Sequence, residues 1–279
     1  MYDLPSEDPE EPGLPDEFHD LQPQLLSRTL RLSSYPSDRY FTASDLNVYY
    51  DINHPLWQKR PDWFLAVNVP RLYDGKDLRR SYVVWQEGNH LKVVVEFLSP
   101  GTEAEDLGRF YQSRSERSPE PPAGLPPSPE DSAAQNGTEA PTKPPGKFEI
   151  YEQYLCVPHY LVYDRLTRTL RYFQLQGGQY EEQTLNSEPP LAWLASLEIG
   201  LGIWEGTFAG VPGHWLRWCD RQGNWFPTDT EQALAAAEQA QAQLFQAARN
   251  LLATGMPIEQ VQQILELTDA QRQILQNSL

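Results

Sequence analysis

The sequence predicts a mixed α/β domain of the α+β kind, followed by a C-terminal helical extension. Three observations predict it. Short runs such as "WFLAVNV" and "LKVVVEFL" have the length and the Val, Phe and Trp content of strands. Segments with apolar residues at helical spacing, "HDLQPQLLSRTLRL" and "KFEIYEQYL", alternate with them. From residue 229 the chain turns to Ala, Gln, Glu and Leu. A chain of 279 residues that is 39% hydrophobic can bury one substantial core or two small ones.

Residues 1–17 are acidic and Pro-rich, and read as a disordered tail. Leu21, Leu25, Leu26, Leu30 and Leu32 predict a helix over 19–32. "YFTASDLNVYYD" (40–51) predicts a strand, and "RPDWFLAVNVP" (60–70) a second one started by Pro61. "RSYVVWQEGNHLKVVVEFLSP" predicts two strands joined as a hairpin across Glu87-Gly88-Asn89. "GTEAEDLGRFYQ" is a loop or short helix. The Ser-, Pro-, Glu- and Gly-rich stretch that follows is expected to be a disordered insertion, 110–145. Phe148, Tyr151 and Leu155 share a helical face. "HYLVYD" and "RTLRYFQL" are strands, and Gly177-Gly178 is a tight turn. "LGIWEGTFAGVPGHWLRWCDRQGNW" is a further β region. The expected organisation is a tail (1–17), a main domain (18–225) interrupted at 110–145, and a helical extension (226–279).

In that extension Asp229 or Thr230 can cap a long helix that Gly255 ends. Leu234, Ala237, Leu244, Ala248 and Leu251 fit a heptad, but Gln241 interrupts its seam. Two readings stay open, a single amphipathic helix and a homodimer formed through the C-terminal helices. Two short helices about a turn at Leu267-Thr268 complete the chain.

Composition narrows the function. The formal net charge is -17, and residues 1–20 carry eight acids and no Lys or Arg. Such a chain lacks the long-range attraction to phosphate of an ordinary basic nucleic-acid binder. Cys156 and Cys219 make neither a disulfide framework nor a metal spacing, and Cys156 reads as a core residue. "MYDLPSEDPEEP" has no basic start and no apolar stretch, so no signal peptide is expected. No run reaches the length of a membrane span, and a cytoplasmic protein is the expectation. Phosphate-loop, nucleophile-elbow and zinc-protease motifs are absent.

What remains is two carboxylates tied to apolar strands. Asp62 precedes "WFLAVNV", and Glu96 sits inside "LKVVVEFL". Alternation puts Lys92, Val94, Glu96 and Leu98 on one face and Val93, Val95 and Phe97 on the other. An ionised carboxylate in such a run is costly unless it is paired, hydrogen-bonded or metal-bound. Two carboxylates from neighbouring strands repel, and a divalent cation such as Mg²⁺ (or Mn²⁺) cancels that repulsion. The simpler reading leaves Glu96 at a strand end facing water or Lys92, and Asp62 in a turn. Lys147, at the start of "KFEIYEQYL", could hold an anion at a helix N-terminus or lie on the surface.

The order "RPDWFLAV", "SYVVWQEGNHLKVVVEFLSPGTEAEDLG", "KFEIYEQYLCVPHYLVYDRLTRTLRYFQL" resembles the Uma-type putative restriction endonuclease family of the PD-(D/E)xK nuclease superfamily, over roughly residues 20–220. The resemblance implies a restriction-endonuclease-like mixed central sheet flanked by helices. It implies Asp62 and Glu96 as metal ligands for Mg²⁺ or Mn²⁺, and a nucleic acid, DNA, as the partner. The superfamily's basic motif places a lysine two residues after the glutamate. Leu98 stands there in this chain, and the resemblance implies that Lys147 takes over. Asp106 matches a further acidic position of the family. The implied activity is metal-dependent endonuclease hydrolysis of phosphodiesters. The competing expectation is a catalytically inactive nuclease fold serving as a binding module, in which Lys147 need not face the two acids. A carboxylate-pair glycosidase is a third reading that nothing in the sequence demands.

Overall fold

The computed structural model describes residues 16–99, 101–112, 143–185, 187, 188 and 190–277. The two segments expected to be disordered, 1–17 and 110–145, fall almost wholly outside the described residues. The chain divides into two units, one ending at Phe226 and one spanning Pro227–Leu279.

The first unit opens with α1 (Glu17–Thr29), which begins earlier than the leucine spacing suggests. Asp16 caps it by accepting a hydrogen bond from the His19 amide at 3.1 Å. Leu30 is already extended, which ends the helix. The run 40–51 is two strands rather than one, β1 (Tyr40–Ala43) and β2 (Val48–Tyr49). Asp45 separates them with a φ of 51°, a left-handed turn that no strand can absorb. Next come β3 (Gln58–Lys59), β4 (Trp63–Val67), β5 (Tyr82–Val83), α2 (Val84–Glu87) and β6 (Leu91–Phe97). Glu87-Gly88-Asn89 is therefore not a hairpin turn. Gly88, at φ 74°, ends α2 as a left-handed cap, and its amide donates to the Val84 carbonyl. β5 leaves to pair in parallel with β2.

After β6 come α3 (Glu103–Leu107) and a 3-10 turn (Gly108–Phe110). Beyond the insertion, α4 (Lys147–Glu149) runs directly into a π-helical turn (Ile150–Tyr154). Then follow β7 (His159–Asp164), β8 (Thr169–Gln176), β9 (Gln179–Gln183), β10 (Leu191–Leu194), β11 (Ile199–Phe208) and β12 (Val211–Cys219). β10 has no counterpart in the sequence reading. Cys156, expected in the core, is instead exposed at φ 46°, where the chain reverses from the helical turn into β7.

Six strands form a mixed sheet in the order β1-β4-β6-β7-β8-β9. Within this sheet β6 and β7 are the pair that runs parallel, with Val95 opposite Leu161. They occupy the middle and are covered on both faces, so they read as nearly continuous apolar runs. Val93, Val95 and Phe97 pack with Leu25, Leu26 and Trp218 on one face. Val94 packs with Tyr151, Tyr160 and Phe173 on the other. This is the alternation expected of a strand.

α1 meets the three-stranded sheet β10-β11-β12 through its side-chain amide. The buried Gln22 donates to the Leu216 carbonyl at 2.9 Å and accepts from the Leu216 amide at 2.8 Å. The Trp218 indole donates to the Leu26 carbonyl at 3.0 Å. Further along β12, the Phe226 amide donates to the Trp218 carbonyl.

The second unit holds α5 (Asp229–Ala253), α6 (Ile258–Ile264) and α7 (Asp269–Asn277). Thr228, not Asp229 or Thr230, caps α5, in a reciprocal capping box with Glu231. Ala248, Val261, Leu267 and Leu275 make its small core, whereas Leu234 is 61% exposed. The amphipathic reading thus describes the C-terminal half of α5. Among the described residues, no helix is long and apolar enough to cross a membrane.

Candidate active site

β4 and β6 run antiparallel with Trp63 opposite Val95, so the residue before Trp63 arrives beside Glu96. That residue is Asp62. Its carboxylate accepts the Phe97 amide at 2.6 Å, which fixes it at the strand end. Glu96 points to the face opposite Val95 and is fully buried. A lone ionised carboxylate there would cost several kcal/mol, of order the transfer penalty for an unpaired charge. The chain compensates with two donors from one helical segment. The Tyr151 hydroxyl donates to one Glu96 oxygen at 2.6 Å, and the Lys147 ammonium sits 3.2 Å from the other. Lys147 and Tyr151 are four residues apart, which puts them on the same helical face.

The same ammonium lies 2.9 Å from Asp106 Oδ1. α3 supplies Asp106, and the Thr102 hydroxyl just before α3 donates to the other Asp106 oxygen at 3.0 Å. From β7, the Tyr160 hydroxyl donates to the Asp106 carbonyl at 2.7 Å. Lys59 pairs with Glu105 alongside. Four elements thus bring Asp62, Glu96, Asp106 and Lys147 into one cluster.

Its electrostatics are those of three acids facing one base. Burial pushes Glu96 up to about 7, against the pull of Lys147 and with the push of Asp62. Burial likewise pushes Asp62 and Asp106 up to about 6, opposed in both cases by Lys147. Burial alone would lower Lys147, but Glu96, Asp106 and Asp62 reverse that and raise it. The ammonium stays charged, and the acids compete for one cation.

Such a donor set fits a divalent ion. Asp62, just before β4, and Glu96 on β6 offer hard oxygen donors side by side, and burial raises both. Mg²⁺ takes one or two carboxylates and keeps several waters. Among the described residues, no group of three or more His, Cys, Asp or Glu side chains stands ready to hold an ion by itself.

Tyr151 and Thr102 were not singled out in the sequence. Tyr151 lies on the apolar face shared with Phe148 and Leu155, which marks it as core, and core it is. Its hydroxyl is what that pattern cannot reveal.

Gly108, where α3 ends, has a φ of 49°. A Cβ there would lie 2.6 Å from the Phe148 ring, next to Lys147. Gly108→Ala is expected to destabilise the fold by about 2 kcal/mol or more, since both the backbone region and the space exclude it. Urea denaturation of the two proteins measures this.

A mixed sheet whose central strand carries a buried glutamate beside a Pro-Asp carboxylate, backed by a lysine, is the arrangement of a restriction-endonuclease-like fold. The chain belongs to the Uma2 family, described as putative restriction endonuclease, whose model matches residues 1–205. That family is part of the PD-(D/E)xK nuclease superfamily. No curated protein and no solved structure matches the chain. The matched stretch contains the whole cluster and ends within β11, so α5, α6 and α7 lie outside it.

Proposed function

We propose that this chain is a divalent-metal-dependent endonuclease that hydrolyses phosphodiester bonds of DNA. The observation that carries the reading is the Lys147 ammonium seated on Glu96, beside Asp62. Asp62 and Glu96 would hold the ion, which when bound supplies Lewis-acid polarisation of a phosphoryl oxygen and an activated water. The chain's own residues do the rest. The Phe97 amide and the Tyr151 hydroxyl hold the two carboxylates in place. Lys147 offers a fixed positive charge to the phosphate oxygens, where charge develops as water adds. In the binding-module reading Lys147 need not face the two acids; here it lies on Glu96, and this favours the catalytic reading.

The acidic balance bears on how the substrate is held. A chain at -17 gains little from long-range attraction to DNA, so binding rests on short-range contacts. Self-association belongs to the same proposal. It would run through the first half of α5, where Leu234 is exposed, and sedimentation of the full chain measures it.

The test is calorimetric titration of Mn²⁺ into wild type and Asp62→Asn, with supercoiled plasmid incubated in parallel at low salt. Uptake and nicking by wild type, both lost in the variant, are the expected result. Wild type that takes up no ion, or a variant that nicks as fast as wild type, removes the proposal.

A further inference from the structure

Asp106, like Glu96, spends one oxygen on a hydroxyl and the other on Lys147, but it holds the ammonium more closely and its own backbone is held as well. One Asp106 oxygen is 2.9 Å from the Lys147 ammonium and the other accepts the Thr102 hydroxyl at 3.0 Å. The Tyr160 hydroxyl pins the backbone of the same residue at 2.7 Å. Asp106 is buried, as is Glu96, so a partner lost by either is costly. Lys147 grips two carboxylates at once, and its contact with Glu96 is the longer, at 3.2 Å. A second cation brought to Glu96 would meet the ammonium at close range, in a buried place where salt screens poorly.

We propose that Asp106 is a positioning residue for Lys147 and not a metal ligand, and that Lys147 competes with the divalent ion for Glu96. The proposal rests on the reading of Asp62 and Glu96 as the metal carboxylates. In the metal-free protein Lys147 is the counter-ion of Glu96. When Glu96 is given over to an ion, Asp106 keeps the ammonium in the cluster, where it can serve the phosphate. Thr102 and Tyr160 hold Asp106 for that task. The lysine thus need not stand two residues after the glutamate, because an acid on α3 supplies the anchorage.

The test is a double-mutant cycle read by Mn²⁺ calorimetry on the full chain at one neutral pH. Lys147→Met is expected to bind Mn²⁺ about tenfold more tightly than wild type, because the competing charge is gone. Asp106→Asn is expected to bind about threefold more weakly or worse, because the ammonium then bears on Glu96 alone. The double variant is expected to match Lys147→Met within about threefold, since Asp106 acts only through the lysine. A double variant about tenfold weaker than Lys147→Met would make Asp106 a ligand and overturn the proposal. Lys147→Met binding no more tightly than wild type would overturn the competition. Absence of uptake by wild type is a separate result, which removes the underlying reading before any variant is compared. Should Lys147→Met not fold, wild type alone gives the answer. Its Lys147 ammonium resonance is expected to shift on saturation with Mg²⁺ while staying protected from solvent exchange. An unshifted resonance, or lost protection, overturns the proposal.

Discussion

Glu96→Gln is expected to yield a protein that no longer cleaves, yet is more stable than wild type above pH 7 when metal is absent. The two effects share one cause. Glu96 titrates near 7 in the folded chain against an ordinary 4.5, chiefly because it is buried. Below pH 4.5 both the folded and unfolded chains hold the proton, and the residue is neutral in either. Between 4.5 and 7 the unfolded chain releases its proton first, so stability falls as pH rises. Above 7 the loss is constant, at about 3 kcal/mol for a shift of this size. Glutamine removes that loss and keeps an oxygen for the Tyr151 hydroxyl. Lys147 retains Asp106, so the lost pairing reduces the gain without reversing it. Thermal melts in a chelator should show the variant ahead at pH 8 and level with wild type at pH 4. A variant less stable than wild type at pH 8 would mean that the Lys147 contact outweighs burial. Cleavage should fall by about 10³ or more, as when a group that stabilises transition-state charge is removed. Stability given up for a working site is a common trade.

Lys147→Met is expected to do the opposite to stability and the same to cleavage. Removing one partner of a buried ion pair costs about 3–5 kcal/mol, because the charge left behind is uncompensated. Here two acids, Glu96 and Asp106, are left at once. The cost should therefore be large at pH 8 and small at pH 5, where Asp62, Glu96 and Asp106 carry protons already. Urea midpoints at the two pH values measure it. Plasmid nicking should drop by about 10² or more, the loss seen when one preorganised charge-stabilising group is deleted. Equal destabilisation at both pH values would show that the stem of Lys147 matters for packing more than its charge does.

Much of this site was readable because β6 breaks its own rule. A run of valines with a single acid at one alternating position announces both a central strand and something that must answer the acid. Asp62 was readable for a related reason, standing directly before "WFLAVNV". Lys147 was a candidate only as a charge at a helix start, and its place beside the acids came from the family resemblance, since a lone lysine says nothing about which acid it meets 51 residues away. Tyr151 went unread because its hydroxyl partner lies 55 residues distant. The errors in the fold have the same origin. A left-handed glycine after a polar residue suits a hairpin and a helix cap equally. At Gly88 the choice fell to β2, a strand far back in the chain that claims β5. Asp45 breaks a run whose composition is that of a strand. Thr228 outcompetes Asp229 and Thr230 as a cap because Glu231 stands three residues beyond it, a local signal that was legible.

The Gln22 clasp bears on the solubility of the chain. β12 is one of the two edge strands of its sheet, and an edge strand offers bare amides and carbonyls to any extended peptide that passes. At Leu216 both groups are taken by a single side-chain amide, and at Trp218 the carbonyl is taken by Phe226. Glutamine here stands in for a missing neighbouring strand. It does so from a helix, which cannot itself be extended into a growing sheet. At Leu216 α1 thus closes a stretch of strand edge on which a further strand could otherwise pair.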